Sequence, residues 1–143
     1  MAADPAQTVE AGHVQTVQRF ADAVNRRDRK AAFGHLSPGV IWNATGELLD
    51  QKLHYHGREE VWGYLRSLDE SFADLSVGLD SVEAVGELVV ARVHLHGTGR
   101  ASRAEADFAF SSVARFRAGR IERVENYVDH DEALNDAHLR AMA

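Results

Sequence analysis

Apolar positions in the first part of the chain recur at helical spacing. Val14, Val17, Ala21 and Val24, with Phe20 beside them, fall three or four residues apart, which predicts an amphipathic helix from about His13. Asn25-Arg26-Arg27-Asp28 interrupts the pattern, and the charged run Arg26 to Lys30 reads as a solvated helix end. A second short helix is expected over Arg29 to Leu36, with Ala32, Phe33 and Leu36 inward, and Ser37-Pro38-Gly39 ends it. Val40 to Asn43 reads as a strand entering a polar loop, Ala44 to Gly57, at the mouth of a pocket. A third helix follows Gly57. Its stripe is Val61, Tyr64, Leu65, Leu68 and Phe72, and Glu59 and Glu60 suit the positive end of the helix dipole.

After Asp74 the period changes to two. Strands are expected over Leu75 to Val85, Leu88 to Gly99, Ala106 to Arg117 and Ile121 to Val128, with turns at Gly86-Glu87 and Ala118-Gly119. A closing helix is read over Asp129 to Leu139, with Asp129 as its cap. Helices gathered against one face of an antiparallel meander predict an α+β fold. The expected organisation is a flexible leader over residues 1–12 and one domain over 13–143.

Composition narrows the class. The net charge of −6 argues against a nucleic-acid surface, which needs a basic patch. No apolar run approaches the ~18 residues of a membrane span, and Met1 to Gly12 lacks the pattern of a signal peptide, so a cytoplasmic location is expected. The absence of cysteine removes disulfides, thiolate metal sites and cysteine nucleophiles.

Several landmarks carry a resemblance: Arg19-Phe20 with Asn25-Arg26-Arg27-Asp28, His56-Gly57-Arg58-Glu59, Arg115-Phe116-Arg117-Ala118-Gly119-Arg120-Ile121, and Glu125-Asn126-Tyr127-Val128-Asp129. In this order they resemble the SnoaL-like branch of the nuclear transport factor 2-like superfamily, from about His13 to Leu139. The resemblance implies a curved, mostly antiparallel sheet wrapped as a cone-shaped barrel over about three N-terminal helices around a central pocket. It also implies a homodimer paired through the sheet. The superfamily contains ketosteroid isomerase, limonene epoxide hydrolase and non-catalytic ligand binders, so the fold alone does not choose an activity.

Carried over by position, the isomerase's tyrosine, base and protonated acid fall on Phe20, Asn43 and Ser112. Phenylalanine cannot donate a hydrogen bond and an amide cannot take a proton near neutrality, so steroid-isomerase chemistry is excluded. The hydrolase's Arg-x-Asp falls on Arg92-Val93-His94. Asn43 matches its asparagine, Ile41 takes its tyrosine position, and Asn126 replaces its second acid.

Alternation groups Arg92, His94 and His96 opposite Ala91, Val93 and Leu95. It groups Phe108, Phe110, Ser112, Ala114 and Phe116 on one face of the next strand, and Val124, Asn126 and Val128 on one face of the last. In the register that the resemblance implies, all these sets look into the concave side. The polar members of that pocket are then Arg92, His94, Asn43, Asn126 and Ser112, with His96, Phe110 and Trp62 beside them.

His94 would act as general acid/base and Arg92 would polarise a carbonyl or hold a carboxylate. Two functions follow. One is a cofactor-independent cyclase, isomerase or hydrolase acting on a hydrophobic oxygenated small molecule. The other is a binding protein that holds such a molecule without turnover. The strand Arg92 to His96 has an alternative reading, in which its polar side faces solvent or a partner chain. Trp62 and Tyr64 read first as core or rim aromatics and second as binding residues. The pairs His54-Tyr55-His56 and His94-Leu95-His96 have metal-ligand spacing, but no carboxylate is placed to complete a shell, and no metal is expected.

Overall fold

The computed structural model describes residues 5–44 and 53–142, and side chains from residue 8 onward. Helix α1 spans Pro5–Asn25 and begins with proline, whose fixed φ suits the first helical turn. It therefore starts earlier than the apolar periodicity that revealed it. Val17, Phe20, Ala21 and Val24 turn to the interior, and Ala23 is fully buried.

Asn25-Arg26-Arg27-Asp28 ends α1 with Arg26 and Asp28 exposed, and it also does structural work. Asp28 caps helix α2 (Arg29–Gly34) by accepting from Ala31 N at 3.1 Å. The Asn25 side chain and the Arg27 guanidinium reach across to the strand Phe72–Val85.

The strands are β1 (Leu36–Asn43), β2 (His54–His56), β3 (Phe72–Val85), β4 (Leu88–Gly99), β5 (Glu105–Arg117) and β6 (Arg120–Tyr127). They form one six-stranded sheet in the order β2-β1-β6-β5-β4-β3. Every neighbouring pair is antiparallel except β1 with β6. The sheet is open, with β2 and β3 as its edges, and does not close into a barrel. The expected end of α2 at Ser37-Pro38-Gly39 lies inside β1, where a register shift between Leu36 and Ile41 accommodates the proline. Part of the polar stretch read as a loop is strand β2, which pairs Tyr55 with Trp42; residues 45–52 lie outside the described residues.

Helix α3 (Arg58–Ser71) starts at Gly57, whose φ of 89° favours glycine, and Glu60 Oε1 reaches back to accept from His56 N at 3.1 Å. The β5–β6 hairpin turns at Ala118 and Gly119, with φ of 50° and 77°. Helices α1 and α3 cover the concave side of the sheet.

Helix α4 (His130–Ala141), capped by Asp129, packs on the opposite side. Its fully buried Ala133 and Ala137 meet Leu88, Val90 and Val113. Each such valine or leucine removed from water contributes about 1.5–3 kcal/mol, so this second, smaller core fixes α4 firmly. The observed molecule is thus an α+β fold with four helices, one more than the group read as N-terminal. No described helix is long and apolar enough to cross a membrane.

Candidate functional site

Between the concave sheet face and the helices lies a cavity of about 110 Å³. Its sheet wall comes from Val89, Ala91, Val93 and Leu95 of β4, Phe110, Ser112 and Ala114 of β5, and Val124 and Asn126 of β6. Trp42 of β1 joins them, because it pairs with Val124 and shares its face. The helical wall is Phe20 and Val24 from α1 with Trp62, Tyr64, Leu65 and Leu68 from α3.

Of the residues read from the sequence, Ser112, Asn126, Phe110 and Trp62 line this cavity. Arg92, His94 and His96 do not. The alternation within β4 is as expected, but the register pairs Ala91 with Ser112 and Arg92 with Ser111. Ser112 faces the cavity, so Ala91 does too, and the intervening Arg92, His94 and His96 stand on the outer face. There His94 Nε2 lies 2.9 Å and His96 Nδ1 2.7 Å from the same Asp107 oxygen. The hydrogen bond to Asp107 raises the His96 pKa above its ordinary value, and the two imidazoles lower that of Asp107.

Asn43 is also on the outer face, since its neighbour Trp42 takes the inner one. Its Nδ2 donates to both oxygens of Glu125 at 3.0 Å, which leaves Oδ1 to accept from His54 Nδ1 at 2.6 Å. Glu125 in turn accepts from Arg123 Nε at 2.6 Å. The catalytic pair expected from the sequence, Arg92 with His94, therefore shares no cavity with Ser112 and Asn126.

Four features of the cavity were not read from the sequence. Trp42 is only 8% exposed, and its indole Nε1 is the sole buried side-chain polar atom without a partner among the described residues. Ser112 Oγ donates to Asn126 Oδ1 at 2.5 Å, which makes an internally satisfied polar pair in an otherwise apolar wall. Tyr64 is held as a neutral phenol, its pKa pushed up to about 12 by burial and then by Tyr55. Asp69 borders the cavity, but Arg27 Nη2 donates to it at 2.6 Å and Arg66 Nε lies 3.5 Å away. Only register, which a single strand's pattern does not carry, could have placed Trp42 inward. Among the described residues no three His, Cys, Asp or Glu side chains are grouped to hold a metal ion.

The sequence model of the SnoaL-like domain matches residues 17–124, and the chain belongs to that family. A solved nuclear transport factor 2-like protein of unknown function from Burkholderia pseudomallei is 25% identical, with a TM-score of 0.72 over 87% of this chain and 95% of that one. A putative SnoaL-like polyketide cyclase from Jannaschia is 19% identical, with a TM-score of 0.73 over 96% of this chain and 97% of that one. An epoxide hydrolase of the limonene type from M. tuberculosis is 16% identical, with a TM-score of 0.67 over 93% of each chain. No curated protein matches.

Proposed function

We propose that the chain is a binding protein for a mostly apolar, oxygenated small molecule held in the concave cavity. The chemistry of the cavity wall carries this reading. Aliphatic and aromatic side chains dominate it, and a few polar groups are set among them, which is the make-up of a small-molecule site. Among the described residues the wall carries no histidine, and its one carboxylate is Asp69. That carboxylate is held by two guanidinium groups, Arg27 and Arg66.

Turnover by a cyclase or hydrolase is the second reading, and Asp69 is the observation that favours it. It is the one carboxylate among the described residues that borders the cavity. The names of two structural neighbours, a putative polyketide cyclase and an epoxide hydrolase, lend it support.

Native mass spectrometry of the protein as purified tests the proposal. The expected result is a small neutral adduct that leaves on denaturation. A protein with no adduct, and no affinity for any apolar probe, would overturn it. If a substrate is found, Asp69→Asn abolishing turnover while retaining binding would favour the enzyme. Pairing of two chains through the sheet is proposed on the family resemblance alone, and sedimentation velocity would decide it.

A further inference from the structure

The outer face of the sheet carries a cleft of its own, separate from the concave cavity. It has a volume of about 220 Å³ and is lined by Leu88 of β4, Val113 and Arg115 of β5, Arg123 and Glu125 of β6, and Arg140 of α4. Register explains how three arginines meet there. Arg115 and Arg123 are direct cross-strand partners, two residues along from the pair Val113 and Glu125, so all four share one face. Arg140 joins them from the last turn of α4, the helix packed on Leu88 and Val113.

Like charges placed directly opposite one another on a sheet repel. Each arginine pairs with a carboxylate, but through Nε alone: Arg115 with Glu122 at 3.3 Å, Arg123 with Glu125 at 2.6 Å and Arg140 with Asp136 at 2.7 Å. The Nη groups of all three have no acceptor among the described residues. Glu122 and Asp136 do not line the cleft. Glu125 does, and Asn43 Nδ2 donates to both of its oxygens at 3.0 Å. The wall thus presents three positive charges and one negative, with guanidinium forks left over.

We infer that this cleft binds a phosphate group, as inorganic phosphate or as the head of a small phosphate monoester. One guanidinium fork matches two phosphate oxygens at once, and three forks around one space suit a tetrahedral group better than a planar carboxylate. Charge agrees as well: a phosphate monoester carries about −1.5 to −2 near neutrality, against a wall with two positive charges in excess. Binding here is independent of what the concave cavity holds, because the two lie on opposite faces of the sheet.

The test titrates inorganic phosphate, phenyl phosphate and benzoate into the full chain at low salt, followed by calorimetry and backbone amide NMR. Both phosphates are expected to bind, and to bind more weakly as sodium chloride is added. They should shift the amides of Val113, Arg115, Arg123 and Glu125 and leave those of Leu95 and Phe110 unmoved. Benzoate, with one charge and a planar head, is expected to bind about 5-fold or more below phenyl phosphate. Tighter binding of phenyl phosphate than of phosphate would mark the ligand as an ester, and equal binding would mark it as phosphate itself.

Arg115→Gln and Arg140→Gln are each expected to weaken phosphate binding about 3–10-fold, as loss of one part-exposed charged hydrogen bond does. Arg103→Gln removes the same charge from the exposed turn between β4 and β5, outside the cleft, and is expected to change the affinity by less than about twofold. The amide shifts are read on the unaltered protein, so they locate the site even where a variant folds poorly. No binding of either phosphate, shifts confined to other surfaces, an equal loss in Arg103→Gln, or benzoate binding as tightly as phenyl phosphate would overturn the inference.

Discussion

Ser112 and Asn126 face each other across β5 and β6, and the Ser112 hydroxyl donates to Asn126 Oδ1 at 2.5 Å on the wall of an apolar cavity. Removing one member strands the other. Ser112→Ala is expected to cost about 1–2 kcal/mol, because Asn126 Oδ1 loses its donor. The double variant Ser112→Ala/Asn126→Leu should cost less than the two single changes added together. Urea denaturation measures all three, and strict additivity would show that the pair is not coupled.

A second relationship protects the sheet edge. The Asn25 side chain pairs with Val77 as a neighbouring strand would, donating to Val77 O at 2.8 Å and accepting from Val77 N at 2.7 Å. β3 is an edge strand, and Val77 directs these groups away from β4. Asn25→Ala is expected to cost about 1–3 kcal/mol and to abolish hydrogen-exchange protection at the Val77 amide. Asn25→Asp keeps the acceptor and loses the donor, so protection at Val77 should persist in part.

The outer-face trio gives a pH signature. The His96 pKa is raised above the ordinary 6.5 by Asp107, so its stabilising contribution is complete below 6.5 and is lost as pH rises through the folded value. The Asp107 pKa is lowered from 3.8 by His96 and His94, so its contribution is complete above 3.8 and is lost as pH falls through the folded value. The stability difference between wild type and Asp107→Asn should therefore be largest between those two pH values and decline on either side. Added salt should shrink it, because all three side chains are exposed. NMR titration should show His96 moving back toward 6.5 in the variant.

At the β5–β6 turn, Ala118 holds φ of 50°, a conformation that asparagine and glycine adopt more readily. Ala118→Asn is expected to stabilise by about 0.5–1 kcal/mol, read as a rise in Tm.

Much of this architecture was legible because local patterns encode it. β4 has the bounds the period-two pattern gives, Leu88–Gly99, and Asp129 caps α4 as its residue type suggests. Sidedness was not legible. Both faces of early β4 are buried, Val89 and Ala91 toward the cavity and Leu88 and Val90 under α4, so its composition does not say which face is inner. The polar Arg92, His94 and His96 then looked like a site, whereas they continue the outer face past the end of α4. Asn43 was misplaced for the same reason, since one residue of register exchanges it with Trp42. Asn25 and Arg27 read as a charged helix end because their partners, Val77 and Asp69, are distant in sequence.

The most direct test of the account is methyl NMR of the protein titrated with ethylbenzene. The account predicts saturable shifts at Val89, Ala91 and Val93 on the inner face, with none at Val90 beneath α4 or at the imidazoles of His94 and His96. Shifts confined to the outer face, or none at the inner methyls, would contradict it.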